Sequence, residues 1–231
     1  MNQQNNASAN SEQMEQTLSK TEQFFTKNAK NIAIGASALL FVVVAFFGYK
    51  SLVVEPREKA AADAMFYAQA ALEAQSPNFR IALEGDEQFT GFLEVADSYG
   101  STAAGNLAAH YAGICYLNLG ELDNALEYLS KYKAQDGIAA GIINAQNLGL
   151  QGDIKVDLGD YSAAVALFEA AVAASSNNIT APIFLVKAGL AAQAADDDAK
   201  AKELYEKSVK LYPSSSESRT AQKYIGTLQS K

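Results

Sequence analysis

Cysteine, histidine, proline and basic side chains are all scarce in this 231-residue chain, and each scarcity removes a class of function. Cys115 is the only cysteine, so no intrachain disulfide can form, and at an apolar helical position it reads as a small core residue. His110 is the only histidine, which rules out a His-based metal cluster or a catalytic triad with a spare base. No Walker loop, G-x-S-x-G elbow or G-x-G-x-x-G fingerprint occurs, so neither an enzyme nor a cofactor is expected. The run Asp196-Asp197-Asp198 lacks the alternating oxygen ligands and distal Glu of a calcium loop, and predicts a solvated turn capping the next helix. Net charge is −8, and residues 55–231 carry 23 acidic against 14 basic side chains. That balance excludes phosphate-backbone recognition and peripheral binding to an anionic lipid surface. Only four prolines, with abundant alanine, favour helix over strand.

What is present begins with one long apolar run. Asn31 to Tyr49 contains no charge and is dominated by Ile, Ala, Leu, Val and Phe. Nineteen helical residues span about 28 Å, close to a hydrocarbon core of roughly 30 Å. Lys50 can snorkel while Leu52, Val53 and Val54 extend the stretch, so a transmembrane anchor is expected over 31–54. A cleaved signal peptide is disfavoured, because about 30 residues precede the run. Lys20, Lys27 and Lys30 before the run balance Lys50, Arg57 and Lys59 after it, so flanking charge gives no orientation. The tail, residues 1–30, is rich in Asn, Gln and Ser and is expected to be largely disordered. Within it Met14, Leu18 and Phe25 recur at helical spacing and predict a polar helix over 11–30.

After the anchor the pattern is helical. Glu55 to Ala74 predicts a stalk helix ended by Pro77, and Glu87 to Ser98 a second helix with Phe89, Phe92, Leu93 and Ala96 on one face. Residues 55–100 thus form a stalk and a first, irregular helical pair. From residue 101 to 231 a repeat takes over. Gly113 is followed by Ala125 and Leu129, Gly152 by Ala164 and Phe168, and Gly189 by Ala201 and Tyr205. Turn residues lie between each glycine and its alanine: Gly120-Glu121-Leu122, Gly159-Asp160-Tyr161 and Asp196-Asp197-Asp198. Small residues on facing helices let two antiparallel helices approach closely, with the bulky residue filling the groove beside the crossing. Such hairpins cannot bury their outer faces alone, so an all-α solenoid is predicted.

These residues resemble the tetratricopeptide repeat, whose small–turn–Ala–aromatic pattern is matched by Gly113, Tyr116, Gly120 and Ala125 and by Gly159, Tyr161, Ala164 and Phe168. The third unit closes on Leu211-Tyr212-Pro213. Ala109, Leu148 and Leu185 replace the family's bulky first-helix aromatic, and the glycines stand 39 and 37 residues apart instead of 34, with longer loops near 135–141 and 175–181. The layout of tail, anchor, stalk, Gly91-Phe92-Leu93, Asp97-Ser98-Tyr99 and repeats resembles the YfgM-like family of bacterial inner-membrane proteins. That resemblance implies a cytoplasmic N-terminus, periplasmic repeats, and the Sec translocon and periplasmic chaperones as partners.

The family's groove positions, carried onto this chain, are Leu107, His110, Ile114, Leu117 and Asn118 in the first unit. They are Gln146, Gly149, Asp153, Val156 and Asp157 in the second, and Ile183, Val186, Leu190, Gln193 and Ala194 in the third. This lining is apolar with two carboxylates and no Lys or Arg. It predicts an extended or helical polypeptide partner with apolar side chains and some positive charge. The expected function is non-catalytic protein binding at a membrane, with a structural scaffold for an envelope-assembly complex, or a cytoplasm-facing scaffold, as the alternatives.

Overall fold

The computed structural model describes the backbone of residues 2–229 and the side chains of residues 24–229. Two compact units divide at Pro56. Among the described residues the elements are helices joined by turns, with one isolated bridge between Gly85 and Thr90.

The first unit is dominated by α1, Asn2–Tyr49, followed by a π-helical segment at Lys50–Val54. The tail expected to be disordered is thus helical from Asn2. Adding residues to an existing helix avoids the cost of nucleation, which is what a polar tail alone could not meet. The helical stretch Phe24–Glu73 contains an 18-residue window of mean hydropathy 2.3 with none of it buried, long and apolar enough to cross a membrane.

The second unit opens with α2, Glu55–Glu73, which turns Ala61, Met65 and Ala68 inward at helical spacing. Glu87–Ser98, expected to be one helix, is instead a loop followed by α4, Phe92–Tyr99, and a short helix α3, Phe79–Glu84, precedes it. Two features divert the chain. The Asp86 carboxylate accepts from the backbone N–H groups of Gln88 and Phe89 at 2.8 and 3.1 Å, closing a local turn that competes with helix. Gly85 takes φ 81°, and a Cβ on Gly91 would strike the backbone of Gly85 and Leu83, so the loop is pinched shut between two glycines. Leu83, Phe92 and Val95 pack with Met65 and Ala68 into one core.

The first turn of α2 is fastened to the start of the repeats. Glu58 accepts from the backbone N–H of Ala103 with both oxygens, at 3.1 and 3.0 Å, and Thr102 accepts from Gly105. Together they satisfy two of the free N–H groups that every helix start leaves. Arg57 donates to the Ser98 carbonyl at 2.7 Å.

Three hairpins follow: α5 and α6 (Ala103–Asn118, Leu122–Lys131), α7 and α8 (Ile138–Asp157, Tyr161–Ala174), α9 and α10 (Thr180–Ala194, Asp198–Leu211). A last helix, α11, Ser216–Gln229, covers the apolar end with Tyr224, Ile225 and Leu228. The glycine–alanine–bulky trios are seated as the spacing predicts. Ala125, Ala164 and Ala201 are fully buried, and the rings of Phe168 and Tyr205 and the side chain of Leu129 lie directly over Gly152, Gly189 and Gly113. A Cβ on Gly152 would sit 2.6 Å from the Phe168 ring. The long loop between the first two hairpins is held by asparagines. Asn106 exchanges two 2.8 Å hydrogen bonds with the backbone of Lys133, and Asn144 bonds Tyr132 and both backbone groups of Gln135. Asp196-Asp197-Asp198 is a turn, in which Asp197 caps α10 by accepting from Lys200 N–H at 2.9 Å.

Candidate protein-binding face

The first helices of the hairpins, α5, α7 and α9, present a face on which equivalent positions recur at the repeat spacing. Leu107, Gln146 and Ile183 occupy one row, and Ile114, Asp153 and Leu190 the next. Both rows are at least partly open to solvent, as are Leu117, Asn118, Val156 and Asp157. Near the helix starts, Ile138 is 94 % exposed, and Ile142 and Ile179 are also open. Isoleucines left bare on a folded surface form the kind of apolar patch that partners cover.

The structure gathers Asp153, Val156 and Leu190 around one depression of about 170 Å³, completed by Phe168, Lys187, Ala191 and Ala194. Its rim is an ion pair: the Lys187 ammonium donates to both Asp153 oxygens, at 2.9 and 2.7 Å. This corrects the expectation that the face holds no basic residue. Lys187 projects from α9 onto α7 and neutralises one of the two carboxylates, leaving Asp157 as the exposed acid. Its signal was present in the sequence, since Lys187 lies one turn before Leu190 and so on the same helical side.

Four expected groove residues are taken up by the fold instead. His110 is buried between the Tyr111 and Tyr132 rings, with its Nδ1 3.1 Å from the Asn147 amide nitrogen. It serves as a buried hydrogen-bonding link between α5 and α7. Burial disfavours the charged imidazolium and lowers its pKa to about 4. Val186 is buried in the core of the second and third hairpins. Gln193 is half-buried and accepts a 2.6 Å hydrogen bond from the Tyr205 hydroxyl, so its amide is spent on the fold. Gly149, also carried over as a groove position, is buried under the Phe184 ring. Cys115 is buried, and loss of hydration pushes its thiol up to about 12, as befits an inert core residue.

Comparison with known proteins agrees with this architecture. A family model described as tetratricopeptide repeat matches residues 108–136 and 184–215, and a second of the same description matches residues 145–178. Neither is a catalytic family. A crystal structure of the MamA protein is similar in fold, with a TM-score of 0.53 and 17 % identity over 75 % of this chain and 81 % of that one. A second crystal structure of MamA aligns with a TM-score of 0.44 and 18 % identity, over 61 % of this chain and 84 % of that one. No curated protein matches the chain. The second unit therefore carries three tetratricopeptide repeats, a protein-interaction architecture, at residues 108–136, 145–178 and 184–215.

Proposed function

We propose that this chain is a membrane-anchored, non-catalytic protein-binding module whose first-helix face holds an apolar polypeptide segment. The observation that carries the reading is the run of open apolar side chains, Ile114, Ile183 and Leu190, beside a depression the size of one bulky side chain. With Asp153 already paired to Lys187, affinity rests on apolar contact, and Asp157 contributes chiefly to encounter. The anchor reading rests on the bare apolar helix, on which Leu39, Phe41 and Leu52 are exposed.

The layout that resembles the YfgM-like family supports a finer assignment. The N-terminus would face the cytoplasm and the repeats the outer side of a bacterial inner membrane. Partners would be the Sec translocon and polypeptides that emerge from it or are held by periplasmic chaperones. Photo-cross-linkers placed at Ile114 and Leu190, with Glu206 on α10 as the opposing position, test this in intact membranes. The expected result is cross-links to translocon subunits and secreted polypeptides from Ile114 and Leu190, lost on Leu190→Asp. Adducts arising from Glu206 alone would remove the face from consideration. Adducts confined to an envelope-assembly complex would favour the scaffold alternative.

A further inference from the structure

Outside the repeats, three aromatic side chains stand together on the surface of the second unit. Phe66 and Tyr67 on α2 are 63 % and 53 % exposed. Their rings meet edge to face at 5.4 Å, and Tyr67 stacks on Phe89 at 5.3 Å with an interplanar angle of 13°. Phe89 is not there by chance of a floppy loop. The Asp86 carboxylate holds its N–H, the Phe89 carbonyl accepts from Asp86 N–H at 3.0 Å, and Gly85 and Gly91 close the loop so tightly that neither tolerates a side chain. The fold fixes a short loop in place, seats half-buried Phe89 on Tyr67, and leaves the Phe66 and Tyr67 rings bare beside it. Such surface costs solubility unless something covers it.

The rim of this platform is acidic. Asp63 lies one helical turn before Phe66 and Tyr67, and Asp86 and Glu87 lie three and two residues before Phe89 in the loop. None of the three forms an ion pair among the described residues. Of the nearby cations, Arg57 is committed to the Ser98 carbonyl and the Tyr99 ring, which leaves Lys59. Aromatic faces attract cations through the ring quadrupole, and flanking carboxylates add to the attraction and orient the approach.

We infer that Phe66, Tyr67 and Phe89 form a second docking surface that takes an arginine- or lysine-bearing segment of a partner polypeptide, independent of the repeat face. Charge selects this occupant over the two others that bare aromatics suggest. An anionic lipid surface would be repelled by Asp63, Asp86 and Glu87. A second copy docking face to face would set the same carboxylates against each other.

The test uses the full chain in phosphatidylcholine nanodiscs and a fluorescein-labelled peptide of four Gly-Arg-Ser units, which offers the apolar repeat face nothing to hold, with four Gly-Glu-Ser units as the counter-probe. Fluorescence anisotropy should show binding of the arginine peptide and at least ten-fold weaker binding of the glutamate peptide. Phe66→Ala with Tyr67→Ala should weaken the arginine peptide at least ten-fold. Asp63→Asn with Glu87→Gln should weaken it and flatten its salt dependence, while Leu190→Asp leaves it unchanged. If circular dichroism shows the double aromatic variant to be misfolded, Phe66→Ser alone, at the most exposed ring, should still cost at least three-fold. Unchanged affinity in the aromatic variants, or equal binding of both peptides, overturns the proposal. Sedimentation showing a dimer that these variants dissolve would assign the platform to a second copy and overturn it equally. Because Leu190→Asp disables only the repeat face, failure there and failure here are told apart.

Discussion

At the scale of single residues, the glycines divide into those that make room and those that turn the chain. Gly152 makes room: any Cβ there meets the buried Phe168 ring, which is itself stacked on Phe184. Gly159 turns the chain: its φ is 75°, and nothing lies within 4 Å of where a Cβ would be. Gly152→Ala should therefore cost about 1–3 kcal/mol through overpacking, and Gly159→Ala about 1–2 kcal/mol through backbone strain alone. Denaturant melts of the domain separate the two causes. A Phe168→Leu background should return part of the Gly152→Ala penalty and none of the Gly159→Ala penalty. Equal rescue of both, or none of either, would mean the trio is not the packing unit. Asp196 holds the position equivalent to Gly120 and Gly159 at φ 59°, a conformation Asp tolerates better than most side chains. The trios were legible in the sequence because helical packing needs small residues at fixed spacing. The seat of each bulky side chain directly over its glycine was not, since spacing fixes a face and leaves the rotamer open.

At the scale of elements, the repeat spacing reaches further than a short local pattern. Hairpins α7–α8 and α9–α10 could be placed by their glycine–alanine–bulky spacing, with the turns at 159–161 and 196–198 falling at the junctions of their helices. The segment 79–91 could not, because a six-residue helix carries less than two turns of pattern and its boundaries are set by Asp86 hydrogen bonds and by Gly85. The site positions that proved buried escaped the pattern for a related reason. His110 falls in the right row of α5, yet α7 approaches there closely enough to bury it, and a single helix's periodicity does not report its neighbour. That burial makes a measurable prediction. Unfolded, His110 titrates near 6.5, while in the fold, with Asn147 at Nδ1 and the Tyr111 and Tyr132 rings about it, its pKa is about 4. Below pH 6.5 the unfolded chain takes up a proton that the folded chain refuses. Stability is therefore lost as pH falls from 6.5 to 4, by about 3 kcal/mol in full, and the group contributes nothing to the slope above 6.5. Urea melts from pH 7 to 4 should show this loss in the native chain. The His110→Gln chain should show a shallower fall, with carboxylate effects common to both. Parallel curves would mean that water reaches the ring.

At the scale of the whole molecule, the two units expose different surfaces. Residues 57–231 have their own cores, in which Phe92, Ile154 and Tyr205 are fully buried, and a surface with excess carboxylates. Among the described residues of α1 the apolar side chains are bare: Leu40 and Val44, one turn apart, are both more than 60 % exposed. On the anchor reading proposed above, a bilayer would supply the missing contacts, at the favourable insertion energies that Leu, Val and Phe carry near a helix centre. The long apolar helix was legible because nineteen successive residues carry no charge. Orientation was not, because three cations flank it on each side. The expected outcome is that the native chain stays in the membrane pellet through carbonate and high-salt washes. Leu40→Asp with Val44→Asp places two carboxylates at the centre of the span, for about 5–7 kcal/mol in total, and should move the protein to the supernatant with its repeats still folded by circular dichroism. A native chain released by carbonate would show that α1 is covered by protein and not by lipid. A double variant that stays in the pellet would show that the retaining contact lies in the second unit, whose exposed Phe66, Tyr67 and Ile138 would then be the next residues to change.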